Sequence, residues 1–246
     1  VITEDPYLLD ALEQVEEDRD VVGVIVHINS PGGTMVGGEV LFESLRRIGE
    51  TRPIVAEMGT VAASGGYMTA IAADHIVARR GTVTGSIGVI FQSMNFTGTL
   101  EKLGVEPLTV KSGPLKAVPN PFEPIDDVAR TAMDSLISDM FSVFVDMVAE
   151  RRGMDSDTVR RLADGRVYTG QQAVANGLID EIGGRREALR WLQEEKGVAP
   201  DLAVVPLEID YPEDSFMEAF FEGNIGKMLS SEGLNLDGLL TVWQPE

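Results

Sequence analysis

The chain has 246 residues, 43% hydrophobic and 24% charged, with 26 glycines and a formal net charge of −20. This is the composition of a globular chain of one or two domains with a sizeable core, which excludes disordered, collagen-like and coiled-coil classes. The acidity sits at the ends, eight acids against one base in residues 1–20 and ten against one in 201–246, so nothing offers a basic footprint for nucleic acid and anionic lipid would repel both termini.

Asp5-Pro6 reads as a helix start, with Leu8, Leu9, Leu12 and Val15 at helical spacing behind it. Residues 21–28 are almost continuously β-branched, the pattern of a strand buried on both faces of a parallel sheet. The turn Asn29-Ser30-Pro31-Gly32-Gly33 breaks it, and helical periodicity resumes over 36–48. A second strand, 53–58, leads through small residues to a helix over 64–74. Further strands are expected at His75–Ala78, 88–92 and 107–111, with a helix over 96–103 between the last two. Residues 112–124 contain four prolines and form a loop. A long helix over 125–152 follows, with Ala129, Met133, Leu136, Met140, Val143 and Met147 three or four apart, a stripe suited to core or subunit interface. Gly153 stops it, and shorter helices are expected over 155–163, 170–177 and 184–196.

Repeated strand–turn–helix units define an α/β protein with crossover connections. The expected organisation is a body over 1–199 and an acidic extension over 200–246, with no internal repeat. The apolar run over 21–28 is far shorter than the ~20 residues that span a bilayer.

Several chemistries drop out at once. The chain has no cysteine, hence no disulfide, thiol nucleophile or cysteine zinc site. Its two histidines, His27 and His75, lie in or at strands without a zinc-binding spacing, and both read as structural. No phosphate-binding GxxxxGK[ST] or GxGxxG motif occurs, and paired acids such as Glu16-Glu17 and Asp126-Asp127 read as solvated charge.

Two glycine-rich turns remain, each closing a strand and opening a helix: Ser30-Pro31-Gly32-Gly33 and Ala62-Ala63-Ser64-Gly65-Gly66-Tyr67. A serine at such a turn has the setting of a nucleophile. Small neighbours admit a substrate carbonyl, and the next backbone N–H points outward with a helix dipole behind it. The Gly-Gly of the other turn can present a second donor, and two donors make an oxyanion hole. Close packing alone also requires such glycines, and Tyr67 reads as packing or groove lining. A nucleophilic serine needs a base, and a desolvated lysine can serve. Of Lys102, Lys111, Lys116, Lys196 and Lys227, Lys116 has apolar neighbours on both sides and no acid within five residues, with Lys111 second.

These residues carry a resemblance. Asn29-Ser-Pro-Gly-Gly33, Ala63-Ser-Gly-Gly-Tyr67, Thr84-Gly-Ser-Ile-Gly-Val89, Lys111-Ser-Gly-x-x-Lys116, Gly165-Arg-Val-Tyr168 and Gly177-Leu-Ile-Asp-Glu181 fall in the order found in signal peptide peptidase A, the protease IV-like Ser/Lys peptidases. The similarity covers roughly residues 20–190 and implies a ClpP/crotonase-like α/β fold. It implies Ser64 as nucleophile, Lys116 as general base, Gly33 and Gly65 N–H groups as oxyanion hole, and Ser86 as the group orienting the lysine amine. Chains of this short form are expected to build homo-oligomeric rings with the dyad shared between subunits. The implied substrates are hydrophobic peptides such as released signal peptides, cleaved without metal or organic cofactor. The resemblance further implies a membrane anchor upstream of Val1, of whose adjoining strand Val1-Ile2 is the tail, and a catalytic body on the extracytoplasmic side of a bacterial membrane. Three rivals share the fold: a crotonase-type acyl-CoA enzyme, which needs cations such as Arg79-Arg80 for the CoA phosphates; a ClpP-type Ser-His-Asp peptidase, for which His27 and His75 are poorly placed; and a non-catalytic assembly or binding subunit.

Overall fold

The β-branched run after residue 21 becomes β1 (Val24–Ser30), and its alternation sets the layers of the molecule. A computed structural model describes residues 1–211 and the backbone of the strand Leu240–Gln244. Ahead of β1 lies α1 (Pro6–Glu17), where the Asp5 carboxylate caps the N–H groups of Tyr7 and Leu8 and Pro6 fills the first turn. After β1 come α2 (Met35–Gly49), the long strand β2 (Ile54–Ala63), α3 (Gly65–Ala70), β3 (His75–Ala78) and β4 (Val83–Gly85). Next are α4 (Thr97–Leu103), α5 (Asp127–Arg152), α6 (Ser156–Leu162), β5 (Val167–Thr169), α7 (Gly170–Ala175), β6 (Glu181–Ile182) and α8 (Arg185–Lys196). Two last strands, β7 (Ala203–Pro206) and β8 (Leu240–Gln244), come from the C-terminal extension.

One sheet holds all of these strands, in the order β5-β4-β2-β1-β8-β7, with β3 branching from β2 and β6 pairing with β3. β2 is long enough to change partners. Its first half pairs in parallel with β3, and its last residues, Val61 to Ala63, pair in parallel with β4. β1 runs parallel to β2, with Val24 opposite Ile54 and a register shift between Ile28 and Ser30. β8 is antiparallel to both β1 and β7, so the extension contributes strands to the sheet beside β1.

The buried-on-both-faces reading of β1 is borne out. Val24, Val26 and Ile28 join Ile54, Ala56 and Met58 in the main core, against residues of α1, α2, α3 and α5. Ile25 points the other way and packs with Val55 and Val77 under Ala188 and Leu192 of α8. Among the described residues, the apolar interior thus lies on both sides of the sheet, as crossover connections require.

Residues 88–92 and 107–111 are not strands, although their composition favours extended chain. Among the described residues neither segment has a ladder partner, and Ile90 is 76%, Leu108 93% and Val110 91% exposed. The helix expected over 64–74 is short because it ends at Ala70, and residues 71–74 turn the chain into β3. The expected helix over 125–152 begins at Asp127 and divides along its length. Phe144, Val145 and Val148 are buried in the core, whereas Val128 and Leu136 stand exposed.

Candidate active site

The carboxyl ends of β1 and β2 lie side by side, and each continues through a tight turn into a helix. At the end of β2, Ser64 has φ 52° and ψ −120°, a conformation that costs a non-glycine residue roughly 1–3 kcal/mol. The turn is held from both ends: the Ser64 N–H donates to Gly85 C=O at 2.8 Å, and the Ser64 C=O accepts from Met68 N–H at 2.9 Å. This is a strand-to-helix elbow that lifts its side chain clear of the sheet.

The turn after β1 approaches Ser64 closely. Gly32 has φ +126°, outside the range of L side chains, and a Cβ there would lie 2.8 Å from the Ser64 Cβ. Ser30, 6% exposed, locks this turn by accepting from Gly32 N–H at 3.2 Å and donating to Gly32 C=O at 3.3 Å. Gly33 comes next, and an added Cβ on Gly65 would sit 3.2 Å from the Gly33 nitrogen. The two glycine turns therefore meet edge to edge beside Ser64.

Above them opens a cavity of about 350 Å³ whose walls include Met35, Val36, Met68, Ile90, Met140 and Phe144, with Ser64, Gly33 and Gly65 at its floor. A volume of this order admits one or two side chains of an apolar peptide. Met140, read from its helical spacing as core or interface filler, instead lines this cavity. Its i, i+3 periodicity is visible in the sequence, but which turns of α5 meet the Ser64 elbow is a matter of tertiary placement. Tyr67 packs, fully buried, with its hydroxyl donating to Leu178 C=O at 2.8 Å; burial holds the phenol well above its ordinary range.

Ser86 follows the carbonyl that holds the elbow. It too has a positive φ, 50°, and its N–H donates to Arg166 C=O at 2.8 Å. Lys116 is elsewhere. It stands exposed in the proline-rich loop next to Ala117, whose φ is 58°, and it is not among the residues lining the cavity. The desolvated setting expected for Lys116 is thus not built within one copy of the chain, where the residue is exposed to solvent. Lys111, the second candidate, is bonded to Glu123, whose carboxylate also accepts from Asn120. Neither histidine lines the cavity. His27 lies 3.5 Å from Glu57 without hydrogen-bond geometry, and His75 stacks on Trp191 at 4.9 Å and meets Glu181 at 3.3 Å. Arg79 and Arg80 also lie outside its lining. Among the described residues, no group of three or more His, Cys, Asp or Glu is arranged to hold a metal.

The elbow serine, the two facing glycine turns and the apolar cleft sit in a chain whose class the comparison with known proteins assigns: it is a serine peptidase. It belongs to peptidase family S49, whose model matches residues 47–199. A protein of Enterococcus faecium that carries the name signal peptide peptidase SppA is 36% identical over 96% of this chain and 68% of its own length. The chloroplastic serine protease SPPA of Arabidopsis thaliana is 31% identical over 95% of this chain and 34% of its own length. Among solved structures, a point mutant of ClpP1 from Listeria monocytogenes overlaps 76% of this chain and 89% of its own, with a TM-score of 0.49 and 16% identity.

Proposed function

We propose that this chain is an endopeptidase for hydrophobic peptides, released signal peptides among them, and that it works through a Ser64/Lys116 dyad completed between neighbouring copies. The observation that carries the reading is the Ser64 elbow beside the Gly33 and Gly65 turns, at the floor of an apolar cavity. The neutral Lys116 amine of an adjacent copy takes the Ser64 Oγ proton as that oxygen attacks the scissile carbonyl. The Gly33 and Gly65 N–H groups hold the resulting oxyanion, and the Ser86 hydroxyl orients the amine. Protonated Lys116 then donates to the leaving amine, and water resolves the acyl-enzyme through the same groups in reverse roles. Supporting the shared dyad, Lys116 is exposed and its neighbourhood presents apolar surface at Leu108, Val110 and Leu115.

In this reading residues 1–199 are the peptidase body and 200–246 an extension of it. An anchor upstream of Val1 holds the body to the extracytoplasmic face of a bacterial membrane; among the described residues no helix is long and apolar enough to cross one. No metal or organic cofactor takes part.

The test uses Ser64→Ala and Lys116→Ala on a fluorogenic apolar peptide, with assembly checked by sedimentation. Each variant should assemble normally and lose at least ~10³-fold in kcat. A Lys116→Ala protein that keeps most of its activity would move the base elsewhere. A wild-type chain that neither cleaves peptides nor reacts with a fluorophosphonate would mean a non-catalytic binding subunit.

A further inference from the structure

Outside the sheet, residue 2 forms an isolated parallel bridge with Gly33. The Ile2 N–H donates to Gly32 C=O at 2.9 Å, and the Thr34 N–H donates to Ile2 C=O at 2.9 Å. A parallel bridge uses the groups flanking its partner residue, so the N–H of Gly33 itself points to the opposite side. That is the side on which Gly65 lies, with the position of a Gly65 Cβ 3.2 Å from the Gly33 nitrogen. The contact is backbone on backbone. A Cβ on Gly33 would overlap Ile2 C=O, and a Cβ on Gly37, in the first turn of α2, would lie 2.8 Å from Thr3 Cα. Two glycines make room for one passing strand.

We infer that residues 1–5 are a strap that positions the oxyanion turn, with the backbone of Ile2 as the positioning group; this rests on Gly33 being an oxyanion donor. Ser30 locks the turn at Gly32, and the strap adds the restraint at Gly33, which has no side chain of its own to restrict its dihedrals. The Ile2 side chain packs against the main core, at the edge of a cavity of about 190 Å³ that Leu8, Asn29 and Ser30 also line. Besides that packing, the strap is held by the pair of backbone bonds at Ile2 and by a distant anchor, where Asp5 accepts from the Tyr211 hydroxyl at 2.9 Å and Tyr7 meets the Tyr211 ring edge-on at 5.6 Å. The direction of the Gly33 N–H is therefore set by a segment that touches neither Ser64 nor the apolar cleft.

Ile2→Pro deletes the N–H that Gly32 accepts while keeping extended backbone, and Ile2→Ala keeps both backbone bonds. The readouts are kcat, KM, and affinity for a peptide boronate, which mimics the tetrahedral intermediate, set beside affinity for a product peptide. Ile2→Pro should lose about 10²-fold in kcat, the scale of a misplaced donor, with KM within ~2-fold and boronate affinity falling in step. Ile2→Ala should keep kcat, KM and boronate affinity within ~2-fold of wild type, with only the stability cost of trimming a side chain that packs on the core. Gly37→Ala displaces the strap from the helix side, and should lower kcat and boronate affinity even though alanine favours the helix. The inference is overturned if Ile2→Pro folds with unchanged kcat, if product-peptide affinity falls as far as boronate affinity, or, where Ile2→Pro does not fold, if Gly37→Ala is fully active. An inert wild type overturns the Ser64 reading itself, and the inference with it.

Discussion

Glu57 shows how one side chain can be legible as charge and illegible as an interaction. It lies in β2 directly opposite His27 of β1, and the Arg185 side chain reaches its carboxylate from α8 at 2.7 Å. Burial alone would raise its pKa, but the His27 and Arg185 contacts outweigh that and hold it down at about 2. A depressed carboxylate contributes stability that is fully present above its unfolded value of about 4.3 and lost as pH falls through the folded one. Glu57→Gln should therefore cost about 2 kcal/mol at pH 7, with the gap to wild type closing between roughly pH 4.5 and 2 in urea melts. A gap independent of pH would mean packing rather than charge. In the sequence Glu57 is one of 40 acids; its partners lie 30 and 128 residues away, and only the fold brings them together. Ser64 is the opposite case. Its small neighbours and its place between a strand and a helix are local facts, and the elbow appears where they put it.

At the scale of elements, α3 is six residues long, too short to persist by its own hydrogen bonds. Its N-terminus carries the Ser64 elbow, and the chain beyond its C-terminus is gripped by two arginines. Arg46 donates to Ala72 C=O at 3.0 Å, and Arg151 donates to Ile71 and Ala73 C=O at 2.8 and 3.0 Å. Arg151→Met keeps the stem and removes the donors, and should lower stability by about 2 kcal/mol in denaturant titration. Its assembled, folded fraction should keep Ser64 reactive toward a fluorophosphonate. Helix ends are largely readable from sequence, because capping is local: Asp5 starts α1, and Gly153, in the left-handed region at φ 62°, ends α5. Strands are readable only where a neighbour exists. Residues 88–92 and 107–111 have β-type composition, yet Leu108 and Val110 point into solvent because no ladder among the described residues reaches them. The short strands β4 and β5 show the converse, each three residues long and defined by the antiparallel pairing that connects them.

For the whole molecule, two observations belong together under the proposed reading. Among the described residues no lysine lines the Ser64 cavity, and exposed apolar side chains crowd the segment that carries Lys116. A head-to-tail contact would bury Ile90, Leu108 and Val110 and deliver Lys116 to the next copy's Ser64, and repetition of that contact closes a ring. Leu108→Asp with Val110→Asp should give a monomer by sedimentation that is inert toward peptides although it melts as wild type does. Mixing Ser64→Ala with Lys116→Ala subunits before assembly should restore activity at about a quarter of the sites, each built from one intact serine and one intact lysine. No recovery after verified co-assembly would confine the dyad to one copy.

Features that depend on neighbours along the chain were already present in the order of the residues: the α/β alternation, the two-sided burial of β1, the capped helix ends and the two glycine turns. They follow from side-chain period, β-branching and backbone freedom, which act over a few residues. Contacts across the chain settled the rest. Folding set the two glycine turns edge to edge, turned Met140 toward Ser64, laid Ile2 across Gly33 and left Lys116 in solvent. The first three are meetings of segments far apart in sequence and the last is the lack of one among the described residues, and local preferences carry no information about which distant surfaces will bury one another.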